Sequence, residues 1–415
     1  MALVDNVALY ALGYAAHESH PMRLDQYCLN TVQRKYPCSD CADACPKSID
    51  IAAKEISWRG CTNCNLCVTA CPTQAIHESS ASLDTALANA GSAGDVVVVA
   101  CDQHKGQTNV RAHCLASIPW ELVAALALKK PVVLTVKACR ECQNDDLREG
   151  VHDLISSLKR FFGPEEFKKR IYSRVPEGAH AGSGASKRTA FEGAMSTVKR
   201  GAEELLSDID EQGRVSHYRA ILLETLREIP EEERPEVTWL TLTEDGNCRG
   251  CEICSKMCPH GAIELRIPEY AAEQKRREVE REVKRRKIPV IVEPSGSDSS
   301  DEVSFTYQAA PAGTSTQALS EAKEAALAAI DEELARNISL GQALVHDASR
   351  CTQCGLCYMS CPEENIGGWA EITTRKLPAK VEHDLAVQLC EKCGRPFKPK
   401  ADETKCAACS RVSFL

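Results

Sequence analysis

Residues 61–72 read Cys-Thr-Asn-Cys-Asn-Leu-Cys-Val-Thr-Ala-Cys-Pro. The same spacing of four thiols closed by a proline recurs twice. Cys248, Cys251, Cys254 and Cys258 precede Pro259, and Cys351, Cys354, Cys357 and Cys361 precede Pro362. A fourth run, Cys38, Cys41 and Cys45 before Pro46, lacks the first cysteine of the pattern; Lys35 stands in that position, and the nearest other thiol is Cys28. Three thiols in one short loop can grip one multinuclear metal centre, and the fourth, turned away by the proline, can reach a neighbouring one. A disulfide framework has no reason to repeat this spacing with a proline each time.

Composition sets the frame. The 415 residues suffice for two to four domains, and the 24 cysteines cluster in pairs two residues apart. That usage points to metal chemistry in a reducing compartment. The formal net charge is −9, and each [4Fe–4S] cube on four thiolates would add about −2. Such a chain is a poor nucleic-acid binder, and an aromatic content of 5% argues against a base-stacking surface. Residues 1–16 have no basic start, and Asp5 interrupts their apolar run, so no signal peptide is expected. The apolar stretches 95–101 and 122–136 are too short or too interrupted, by Lys129 and Lys130, to span a bilayer. We therefore expect a cytoplasmic protein, or one peripheral on the inner face of the membrane.

Between the runs the pattern changes. Residues 95–100 and 131–136 read as buried strands, and 118–128 and 147–162 as helices, so 90–172 is expected to be a small α/β domain with parallel strands. Residues 173–235 read as a helical linker with a Gly/Ser/Ala-rich loop at 178–186. Its Gly182 and Gly184 lack the rest of a nucleotide fingerprint. Strands are expected at 237–242 and 262–267. Residues 271–287 form a charged helix with Glu273–Arg277, Glu280–Lys284 and Glu282–Arg286 in i,i+4 register, read as solvated or as a docking helix for a partner. Residues 295–316 read as low-complexity and disordered, and 318–340 as an Ala-rich helix.

The runs resemble those of the bacterial 2[4Fe–4S] ferredoxin family, of the kind used as electron-transfer subunits of redox complexes. The resemblance covers 1–80, 240–267 and 348–370. It implies an α+β chain with two ferredoxin-like dicluster units, at 1–80 and at 236–270 with 341–372. The second would be split by an insertion at 271–340. In that family the last cysteine of each run serves the neighbouring cluster. Carried over, Cys248, Cys251, Cys254 and Cys361 hold one cube, and Cys351, Cys354, Cys357 and Cys258 its partner. In the first unit Cys61, Cys64, Cys67 and Cys45 hold one cube. Cys38, Cys41 and Cys71 hold the other, with Cys28 as fourth ligand. The rival readings there are a three-iron cluster with Cys28 free, or a simple buried thiol.

Two further sets stand apart. Cys101 and Cys139 follow the two expected parallel strands, Cys114 lies between them, and Cys142 follows Cys139 after two residues. Four thiols could converge at that sheet edge. The set resembles the small iron–sulfur (delta-type) subunit of methyl-viologen-reducing hydrogenases, which implies a [2Fe–2S] centre. Zinc, another cluster, or redox-active thiols without metal remain open. His104 and His113 nearby read as solvated. Cys390, Cys393, Cys406 and Cys409 have zinc-ribbon spacing, with Gly394 suited to the tight turn, so 380–415 is expected to hold zinc, or rubredoxin-like iron.

No haem motif, P-loop or dinucleotide fingerprint is present. The expectation is an electron-transfer subunit of an oxidoreductase complex in anaerobic metabolism. Its partners would be a molybdopterin or hydrogenase-type catalytic subunit and an electron donor or acceptor protein. The alternatives are a reductase with a Cys139–Cys142 dithiol in the 90–172 domain, and a metal or redox sensor.

Overall fold

The computed structural model describes residues 20–32, 37–78, 94–137, 139, 142, 145–181, 215–286, 290–295, 303–311, 313–399 and 403–411. The N-terminal stretch 1–16 and most of the Gly/Ser/Ala-rich loop lie outside the described residues.

The first cysteine unit is closed by pairing its two ends. Met22–Arg23 runs antiparallel to Ile76–His77, so the strand after Cys71 and Pro72 returns to the segment before Cys28. The next unit is a parallel sheet in the order Val110–Ala112, Val97–Cys101, Val132–Leu134, Ile171–Tyr172. Its central strands are fully buried, as a near-continuous Val run requires in a parallel sheet covered on both faces. The helix Trp120–Lys129 crosses between the two central strands. The helix Asp145–Arg170 follows and is broken at Gly163 (φ 68°), where Pro164 opens its second segment. The outer strands Val110–Ala112 and Ile171–Tyr172 carry too little apolar pattern to be read from the sequence.

The expected linker is only partly a linker. Within it, the helix His217–Arg227 buries Tyr218, Leu222 and Leu226 in the same core as Leu122, Leu126 and Phe161 of the α/β domain. That core also takes Val68 and Ile76 of the first cysteine unit.

The second cysteine unit pairs Val237–Glu244 with Ile366–Thr374, and Ile263–Arg266 with Ala343–Asp347. Lys380–Asp384 adds a third strand beside Ala343–Asp347. The expected ribbon boundary at 380 therefore cuts through this sheet, and the ribbon's own hairpin, Gln388–Leu389 with Pro396–Phe397, comes after it.

Of the stretch expected to be disordered, 303–311 and 313–316 are ordered, whereas 296–302 lie outside the described residues. Ser304–Ala309 pairs antiparallel with Val290–Ser295. Val292, Phe305 and Tyr307 pack on Val279 of the helix Pro268–Arg285 and on Ala326 and Ile330 of the helix Thr316–Ile338. The alternation of Phe305 and Tyr307 with polar neighbours suits this strand. The three expected i,i+4 pairs form, at 2.7, 3.8 and 3.7 Å. The apolar stripe of the charged helix is covered by the chain's own hairpin and second helix, with Lys275 bonded to Glu333 at 2.8 Å, which corrects both the solvated and the partner-docking readings of that stripe.

Candidate iron–sulfur and metal centres

The three full runs fold alike. In each, the residue before the second cysteine and the residue after it adopt positive φ: Asn63 and Asn65, Gly250 and Glu252, Gln353 and Gly355. The residue three beyond the last cysteine does the same: Gln74, Gly261 and Glu364, with Ser48 after the truncated run. Positive φ in Asn, Gln, Glu or Ser is uncommon, and its recurrence at equivalent positions marks a functional constraint. The turns aim backbone N–H groups at sulfur. Asn63 and Gln353 donate to the Sγ of Cys61 and Cys351 at 3.4 and 3.3 Å. Ala75 and Ala262 donate to the Sγ of Cys71 and Cys258, both at 3.2 Å. Such donors neutralise part of the charge on a ligating thiolate.

The last cysteine of each run leaves its own loop. Cys45 lines one cavity with Cys61, Cys64 and Cys67 (site 1). Cys71 lines a second with Cys28, Cys38 and Cys41 (site 2). Cys258 lies within electrostatic range of Cys351, Cys354 and Cys357 (site 3). Cys361 lines a cavity with Cys248, Cys251 and Cys254 (site 4). Cys28 is buried and lines site 2 beside Cys38, Cys41 and Cys71.

Burial pushes these thiols up, and neighbouring thiols add to it. Cys41, Cys67 and Cys357 rise to about 12 and Cys354 to about 11; Cys254 and Cys351 also rise. Four thiolates could not share such a site alone. A cationic metal core deprotonates them and fits the donor set. Replacing Cys28 with alanine should leave site 2 with three ligands. The oxidised protein should then show the paramagnetic resonance of a three-iron cluster. An unchanged spectrum and iron count would make Cys28 a packed thiol only.

The middle set also converges. Cys101 ends its strand, Cys114 precedes the short 3-10 turn Leu115–Ser117, and both are buried. Cys139, raised to about 11 by burial, is within range of Cys101, Cys114 and Cys142. His113 is half-exposed and pairs with Asp102 at 3.2 Å.

The ribbon is built differently. The sulfurs of Cys390, Cys393, Cys406 and Cys409 lie within 4.8 Å of one another, and among the described residues no other group of candidate ligands is drawn so close. Tetrahedral zinc with Zn–S of about 2.3 Å needs sulfurs roughly 3.8 Å apart. Cys393 and Cys406 meet that at 3.8 Å. The backbone N–H of Cys406 donates to the Sγ of Cys390 and holds that thiol down, at about 6. The middle set is not drawn together as closely.

Several residues around the sites were not legible in the sequence. Arg23 lines site 2 and donates to the carbonyls of Ile51 and Ala53 at 2.6 and 2.7 Å. Thr73 lines the same cavity.

Two family models, each described as a 4Fe-4S binding domain, match residues 54–77 and 344–366. Those segments hold Cys61–Cys71 and Cys351–Cys361. Searches of curated proteins and of solved structures returned no match. The chain therefore carries ferredoxin-type 4Fe–4S binding domains, which supports an iron–sulfur electron-transfer role. No helix among the described residues is long and apolar enough to cross a membrane.

Proposed function

We propose that the chain is an electron-transfer subunit with four [4Fe–4S] clusters in two pairs. It relays low-potential electrons between a donor or acceptor protein and a catalytic subunit of molybdopterin-oxidoreductase or hydrogenase type. The observation that carries this reading is the gathering of sixteen cysteines into four four-thiol sites, each completed by a cysteine from outside its own run. A cube in which each of the four irons holds one cysteine leaves no iron open to substrate, so these sites suit electron transfer rather than turnover. A [2Fe–2S] centre at Cys101, Cys114, Cys139 and Cys142 and zinc in the ribbon complete the set.

Anaerobic reconstitution and metal analysis test this. The four cubes should contribute about sixteen iron and sixteen acid-labile sulfide, four of each per cube, and the ribbon one zinc. Folded protein with fewer than about twelve iron, three cubes' worth, would sink the four-cube reading. Anaerobic co-purification should then recover a redox catalytic subunit.

A further inference from the structure

We propose that the two cluster pairs form one continuous electron line, and that Thr73 and His260 are its crossing point. The proposal rests on sites 1 to 4 being cluster sites. Within the first pair, Cys41 of site 2 lies in electrostatic range of Cys67 of site 1. Within the second, Cys357 of site 3 lies in range of Cys254 of site 4. A buried bond joins the pairs. His260 Nε2 donates to the carbonyl of Thr73 at 2.8 Å, across 187 positions of sequence.

Both ends of that bond sit beside a cluster. Thr73 lines the cavity of site 2. His260 follows Cys258 of site 3 by two residues and is 1% exposed. Tyr27, next to Cys28 of site 2, stacks on the His260 ring with centroids 5.3 Å apart. The path from site 2 to site 3 is therefore covalent bonds, one hydrogen bond and one ring contact, with no solvent gap. Tunnelling falls off less steeply through bonds than through space. One electron crosses, oxidising one cluster and reducing the other, and no proton or bond need move.

The line has two different ends. Thr69, between Cys67 and Cys71, donates to the carbonyl of Ala116 at 2.9 Å and so seats the first pair on the loop of Cys114. At the far end Lys398 of the ribbon donates to the carbonyl of Gly246, two residues before Cys248. Val387 and Pro396 lie against Gly250. The loop of Cys114 thus meets the first pair, and the ribbon meets the second pair at site 4.

The test uses the full-length reconstituted protein. A deazaflavin flash delivers less than one electron per chain, and freeze-quench paramagnetic resonance follows its redistribution. The unaltered protein should equilibrate in one fast phase. His260→Leu should split this into a fast and a slow phase, with iron content and midpoint potentials unchanged. His260→Gln, which keeps an N–H donor, should restore the single phase. A single phase in His260→Leu overturns the proposal while leaving the four-cube reading standing, since that depends on the iron count. Should His260→Leu lose iron, the reduced unaltered protein decides. Spin coupling between the two pairs supports the line, and its absence overturns it.

Discussion

Arg219→Met should cost the protein about 3–5 kcal/mol, because it strands a buried carboxylate. Against a total stability of about 5–15 kcal/mol, that is a large loss. Arg219 and Glu121 have side chains 2% and 1% exposed and meet at 3.3 Å. The guanidinium lies between Trp120 and Trp239, 5.0 and 5.2 Å from their ring centroids. Glu121 also accepts from Gln74 Nε2 at 2.7 Å, and Ser216 donates to Gln74 Oε1 at 2.5 Å. Ser216 and Arg219 lie at the start of one helix segment, so the network closes on itself and ties Gln74, beside site 2, to the α/β domain. The double variant Glu121→Gln with Arg219→Met removes the stranded charge and should recover most of the loss. Chemical denaturation of the reconstituted proteins checks this; equal losses in the single and double variants would show that packing, not charge, sets the cost. A second readout is redox. Burial lowers the Arg219 pKa, opposed first by Glu121 and then by Cys351 of site 3. A guanidinium stays charged even here, so it favours the more negative, reduced cluster at site 3. Losing it should lower that potential, and a tenfold change in the reduced-to-oxidised ratio corresponds to about 59 mV.

What the sequence revealed and what it hid divide along one line. The cysteine runs are local codes: three ligands, a turn and a proline lie within twelve consecutive positions, so spacing alone reports them. The strands Val97–Cys101 and Val132–Leu134 were legible because a buried parallel strand is continuously apolar. The structure's additions depend on distant partners. Arg219 reads as the charged position of an amphipathic helix start, before Ala220-Ile221-Leu222-Leu223, and nothing local says that Glu121 waits for it inside the core. His260 reads as an ordinary loop histidine until Thr73 arrives beside it. The pairing of 290–295 with 304–309 was hidden by the Ser-rich sequence between them, although Phe305 and Tyr307 alternate as a half-buried strand should. The third strand of the second unit, Lys380–Asp384, alternates exposed and half-buried residues with a single apolar one, Val381, and so carried no strand signal.

Between pH 7 and pH 5 the protein should lose about 2 kcal/mol of stability through His346 alone. His346 lies in the strand Ala343–Asp347 with no exposed surface. Its Nδ1 accepts from the backbone N–H of Leu242 at 3.3 Å and pairs with the Thr241 hydroxyl at 2.9 Å. Burial first, and the nearby His383 second, lower its pKa from 6.5 to about 4. Above pH 6.5 both folded and unfolded chains hold it neutral, and it has no effect. As pH falls through 6.5, the unfolded chain takes up a proton that the folded one refuses, so stability drops. The drop ends near pH 4, where the folded form also protonates, after about 3 kcal/mol in all. Protonation would also turn Nδ1 from acceptor to donor against the Leu242 N–H, breaking the tie to the strand Val237–Glu244. Leu344, two residues before His346 and on the same face of the strand, lines site 4. Acid should therefore loosen the wall of that site. Denaturation midpoints at pH 7 and pH 5 measure the effect, with His346→Gln as the comparison, because its side-chain oxygen can still accept from Leu242. The variant should be less pH-sensitive by about 2 kcal/mol, the share assigned to His346, while the other histidines cancel between the two proteins. Equal slopes would mean that His346 is not the group through which acid acts on this sheet.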